Sequence, residues 1–134
     1  MRVSGLSALA AGAALAGASS GAALAADLTW TWSVSGTIVA GGQIVASATP
    51  VCTFQQAGSQ LSGTCKGPNA VGPAVGTVEG ASVAWQWAAN ADTREGTSNI
   101  VRFHGTVGAD GVIRGAVTFS AVPGRSGAFT QQRR

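Results

Sequence analysis

From Leu28 onward the chain alternates with a period of two, and glycine keeps falling on the apolar phase of that alternation. In "LTWTWSVSGTI", Leu28, Trp30, Trp32, Val34, Gly36 and Ile38 alternate with Thr29, Thr31, Ser33, Ser35 and Thr37. This is the pattern of a strand with one buried and one solvated face, and no helical period competes with it. The phase continues through Ile44, Ala46, Ala48, Cys52 and Phe54, where Pro50 predicts a bulge or an edge position. Leu61, Gly63 and Cys65 share a face in the next segment, followed by Ala74, Gly76 and Val78, then Val83, Trp85, Trp87 and Ala89. The stretch "VRFHGTVGADGVIRGAV" supplies a hairpin with one glycine in each arm, and "GAFTQQR" supplies a last short strand.

Turn residues punctuate these segments at Gly41-Gly42, Ala57 to Ser59, Glu79-Gly80, Gly108 to Gly111 and Pro123-Gly124. One longer polar connection, "NADTREGTSN", spans residues 90–99. Eight sequential strands at this spacing predict an all-β fold, an eight-stranded antiparallel up-and-down meander closed into a barrel. Gly36, Gly63, Gly76, Gly105 and Gly115 then have a physical reason to sit in strand interiors. Each costs about 0.5–1 kcal/mol against alanine. In return, a missing side chain lets a tightly coiled strand bend and leaves room beside Trp32, Trp85 and Phe103.

Residues 1–25 read as an export signal. An arginine follows Met1, "LSALAAGAALAG" is apolar and small, and Ala23-Leu24-Ala25 fits the small-x-small cleavage rule. The run is too short to span a bilayer, and Gly17 to Gly21 break it. The mature chain, residues 26–134, has the length of one domain. Export predicts a periplasmic or extracellular location, and there Cys52 and Cys65 read as a disulfide across a hairpin. A membrane barrel would show the same period with its apolar side chains outward. The short apolar runs, the absence of tyrosine and the mid-strand glycines predict the opposite orientation, with no membrane span in the mature chain.

Residues able to do chemistry are few. Asp27, Glu79 and Asp110 sit at the chain start and at turns, while Asp92 and Glu95 lie in the long loop beside Arg94. None falls on an apolar strand face, where burial would raise a carboxyl pKa toward acid–base use. His104, the sole histidine, is on the polar phase with Arg102 and Thr106, and no Gly-x-Ser-x-Gly signature accompanies it. The expectation is a protein that is not an enzyme and that needs no metal and no cofactor. Basic residues are scattered and the formal net charge is +3, so nucleic acid is not an expected partner.

The aromatic residues are more informative. Trp30, Trp32, Trp85 and Trp87, with Phe103 and Phe119, are the candidate ligand-lining residues. Bulky rings opposite missing side chains predict either a completely filled interior or an uneven one that holds a small apolar molecule. Outward-facing indoles would instead stack on sugar rings.

"WTWSVSGT", "VEGASVAWQW" and "FHGTV…IRGAVTF…GAFTQQR" give the chain a rhythm that resembles the calycin group, the avidin-like and lipocalin-like barrels. The resemblance implies an eight-stranded barrel that binds a small, mostly apolar molecule at its open end. Trp30 or Trp32 and Trp85 or Trp87 would match the family's pocket-lining indoles. The family's tyrosine, interior acid and polar biotin-contact set are not present in this sequence. Two functions follow as expectations. One is non-catalytic binding of a small hydrophobic or aromatic ligand. The other is a structural or interaction module of the cell envelope, contacting glycan or protein around a filled core.

Overall fold

A computed structural model describes residues 25–91 and 98–134, and among these residues the regular structure is entirely antiparallel strand. The strands are β1 (Thr31–Ala40), β2 (Gln43–Ala48), β3 (Val51–Ala57), β4 (Gln60–Lys66), β5 (Ala70–Glu79), β6 (Ser82–Ala91), β7 (Ser98–Val107), β8 (Ile113–Phe119) and β9 (Gly127–Arg133). Sequential neighbours pair from β3 to β9, β3 also pairs with β1, and β9 returns to β1 to close the ring. The result is an eight-stranded up-and-down barrel with β2 as one extra strand. The proposed signal, up to residue 24, and the Asp92/Glu95 pair lie outside the described residues.

The extra strand comes from proline chemistry. β2 and β3 follow one another along the same edge of β1, and Thr49-Pro50 interrupts them. Proline has no N–H to give to a ladder. The Pro50 carbonyl nevertheless accepts the Val34 N–H at 3.0 Å, so the pairing with β1 resumes at once. The single bulged strand expected over residues 43–55 is therefore two strands. A second departure lies nearby. A register irregularity between Ile38 and Val39 sets Val39 opposite Ile44, which turns Ile44 out to 65% exposure instead of into the core. One extra residue reverses the phase of everything beyond it.

Elsewhere the alternation holds. Trp32, Val34, Ile38, Cys52, Phe54, Leu61, Val78, Val83, Trp85, Trp87, Phe103 and Phe129 are buried. Ser33, Ser35, Thr53, Thr64, Thr77, Thr118 and Thr130 are exposed. Apolar groups face inward and hydroxyls face out, the reverse of a lipid-facing barrel.

Four rings fill the barrel's centre. Trp85 stacks on Phe103 at 4.0 Å between centroids, while Phe54 meets Trp85 edge-on at 5.1 Å and Phe129 meets Phe103 edge-on at 5.1 Å. The interior glycines make that cluster possible. Gly105 and Gly115 face each other across the β7–β8 pair, and a Cβ on Gly105 would lie 3.0 Å from Phe129 Cζ. A Cβ on Gly76 would collide with Trp85 Cβ and the Ala84 carbonyl oxygen. Replacing Gly76 with alanine is expected to destabilise the fold by about 1–3 kcal/mol through overpacking, read as a lower thermal midpoint. An unchanged midpoint would show that the backbone yields freely there.

The two ends differ. At one end residues 25–30 run beneath the barrel and plug it. The Ala26 N–H donates to Gly80 O at 2.9 Å, the Leu28 N–H to Gln56 Oε1 at 2.8 Å, and Gln56 Nε2 to Ala26 O at 2.8 Å. Leu28 itself is buried at 1% exposure, and the Trp32 indole N–H donates to its carbonyl at 3.1 Å. The opposite end carries the β4–β5 and β8–β9 connections and the tip of the β1–β2 hairpin, and it has no such plug among the described residues.

Candidate functional site at the barrel mouth

At the unplugged end a cavity of about 350 Å³ opens between β2, the β4–β5 turn, β6, β7 and the end of β8. That is within the size range of small-molecule sites. Its apolar wall comes from Trp87, Val101 and Phe119, which are successive partners across β6, β7 and β8. The same inward phase that fills the core one step deeper supplies this wall. Ser47, Thr49, Asn69 and Asn99 contribute hydroxyl and amide groups.

Asn99 is held in place. Its Oδ1 accepts from Ser120 Oγ at 3.0 Å and from the Ala121 N–H at 3.2 Å, which ties the start of β7 to the β8–β9 connection. The β4–β5 turn is closed by the Gly67 N–H donating to Ala70 O at 2.7 Å. Gly67 packs closely on the indole, and a Cβ there would lie 3.1 Å from Cη2 of Trp87. The indole thus sits with its Cζ2–Cη2 edge beneath this turn, and Nε1 is on the same side of the ring.

Trp87 is 3% exposed, and among the described residues its Nε1 has no hydrogen-bond partner. A buried donor without an acceptor costs about 1–3 kcal/mol. The other two buried indoles are satisfied: Trp32 by Leu28 O, and Trp85 by Gln131 Oε1 at 3.0 Å. Trp87 is the exception, and it is the one that lines the mouth.

The six candidate aromatics therefore separate into three places. Trp87 and Phe119 line the mouth cavity. Trp85 and Phe103 stack one step deeper, enclosed by Phe54 and Phe129. Trp30 and Trp32 lie at the plugged end beside a second cavity of about 350 Å³. Sequence reasoning missed the polar members of the mouth, which lie in turns and at strand ends where alternation says nothing. It also missed Gln131, fully buried on the inner face, although Phe129 and Gln131 share a phase in "GAFTQQR".

His104 is exposed on the outer face of β7, between Ala84 and Ala116 of the flanking strands. Asp110 is paired with Arg114 at 3.0 Å on the surface. The Arg114 side-chain hydrogen bond, helped by the Val112 N–H, holds the Asp110 carboxyl below the usual carboxylate range. No family model matches this chain, and neither a curated protein nor a solved structure does.

Proposed function

We propose that this protein is an exported, non-catalytic β-barrel that takes a small hydrophobic or aromatic molecule at its mouth, as the resemblance to calycin barrels implies. The observation that carries the reading is a cavity of about 350 Å³ walled by Trp87, whose buried indole N–H is unpartnered among the described residues. A ligand with an apolar body and one acceptor atom would cover Trp87, Val101 and Phe119 and give that donor its partner. The Cys52–Cys65 disulfide supports an oxidising compartment, in keeping with export to the periplasm or beyond. A second reading, a structural or interaction module, is favoured by the four-ring cluster that fills the barrel's centre.

Indole resonances separate the two. In a ¹⁵N-labelled sample titrated with a panel of small aromatic and aliphatic alcohols, ketones and acids, the Trp87 Nε1–H signal is expected to move downfield as it gains an acceptor. The Trp85 signal should hold still. Trp87→Phe is expected to weaken the same ligands about tenfold, the factor for ~1.4 kcal/mol. If no compound in the panel moves the Trp87 signal, the binding reading is lost and the filled module stands.

A further inference from the structure

The plugged end holds an indole unlike the other three. Trp30 is 38% exposed, whereas Trp32, Trp85 and Trp87 are each at 4% or less. A single exposed apolar side chain is ordinary on a protein surface, so what sets this ring apart is its surroundings. This one is fixed. The Trp30 N–H donates to Leu28 O at 2.8 Å, and its carbonyl accepts the Phe54 N–H at 3.1 Å. The Arg133 guanidinium lies over the ring, 3.7 Å from its centroid. That cation–π contact holds the indole by one face.

Beside the ring is the cavity of about 350 Å³, lined also by Asp27, Asp110, Gly111, Gln132 and Arg133. It combines a planar apolar surface with a carboxylate, an amide and a guanidinium. Among the described residues Asp27 uses only Oδ1, accepting the Thr29 N–H at 3.0 Å, which leaves its second oxygen for a ligand. A purely apolar ligand would strand these polar groups, and a simple anion would meet the Asp27 and Asp110 carboxylates. A pyranose meets both requirements: its C–H face packs on an aromatic ring, and its ring hydroxyls both donate and accept.

We infer that the plugged end of the barrel is a second binding site, for a neutral saccharide that stacks on Trp30 and is oriented by Asp27, Gln132 and Arg133. The inference is independent of the mouth reading, since the two cavities lie at opposite ends and share no residue.

The test uses the full mature chain and neutral sugars: methyl glycosides of glucose, galactose, mannose and N-acetylglucosamine, and their β-linked and α-linked oligomers. The Trp30 Nε1–H signal, assigned by its loss in Trp30→Phe, is expected to shift saturably with at least one of these. The Trp87 signal should stay in place. Trp30→Ala is expected to weaken binding about tenfold or more, as for an aromatic anchor. Asp27→Asn keeps an acceptor for the Thr29 N–H, and so keeps the segment folded, while removing the charge. It is expected to weaken binding several-fold with an unchanged thermal midpoint. A Trp30 signal indifferent to every sugar, or a full-strength response in Asp27→Asn and Trp30→Ala, would overturn the site. A sugar that shifts only Trp87 would overturn it too, while leaving the mouth reading intact.

Discussion

Trp85→Ala is expected to destabilise the barrel by about 4 kcal/mol, within the usual range for emptying a buried indole site. For a domain of this size that corresponds to a fall in thermal midpoint of roughly 15 °C. Two losses combine. Trp85 is stacked on Phe103 and edged by Phe54, so its removal leaves a hole that strand backbones closed into a ring cannot collapse to fill. It also takes from Gln131 Oε1 its only partner among the described residues, on a residue that is 0% exposed and whose Nε2 has no partner among them. Trp85→Phe separates the terms in large part, because it keeps a ring for Phe103 while removing the donor and a smaller share of the volume. It should cost about 1–3 kcal/mol, the penalty for an orphaned buried acceptor. Adding Gln131→Leu to Trp85→Phe should recover most of that, since both polar partners are then gone. Chemical denaturation of the wild type, Trp85→Phe, Gln131→Leu and the double variant gives the coupling directly. A double variant no more stable than Trp85→Phe alone would mean that the hydrogen bond contributes nothing.

The contrast between Trp85 and Trp30 shows how much of this fold was legible in the sequence. Both sit on apolar phases, and alternation alone assigns both to the interior. Trp85 lies mid-strand with paired neighbours on each side, so phase decides its direction. Trp30 precedes β1, where the chain turns beneath the barrel and phase no longer refers to a sheet. The same limit explains Ile44, whose phase was reversed by a bulge with no glycine to mark it. The eight strands of the ring, their faces and its closure follow from local rules repeated along the chain, and those were readable, whereas the split at Thr49-Pro50 was not. The mouth was readable only in part. Trp87 and Phe119 announce themselves as large apolar residues in phase, but Asn99, Asn69 and Thr49 reach the cavity only because β2, the β4–β5 turn and β7 converge there. Convergence is a tertiary fact, and no short-range pattern encodes it.

Removing the disulfide should have the next largest effect, about 3 kcal/mol for a loop of this size in the chain-entropy description. Cys52 and Cys65 are directly opposed across β3–β4, with Cα atoms 4.0 Å apart, a sequence separation of 13, and both at 0% exposure. The turn between them needs Gly58 in a left-handed conformation, φ 62°, which already holds the hairpin in register. The bond matters most on its other side. β3 meets β1 only through Thr31–Thr53, Trp32–Cys52 and Ser33–Val51, because Thr49-Pro50 breaks the strand just before it. Cys52 is thus part of the shortest seam in the ring, and its sulfur anchors that seam to the longer β4–β5 ladder. Reduction, or paired Cys52→Ser and Cys65→Ser, should therefore loosen the barrel locally before it unfolds as a whole. Amide hydrogen exchange is expected to speed up first in residues 31–33 and 51–57, with β6, β7 and β8 still protected. A uniform rise in exchange across all strands would show instead that the ring opens only as one unit, and that the β1–β3 seam is no weaker than the rest.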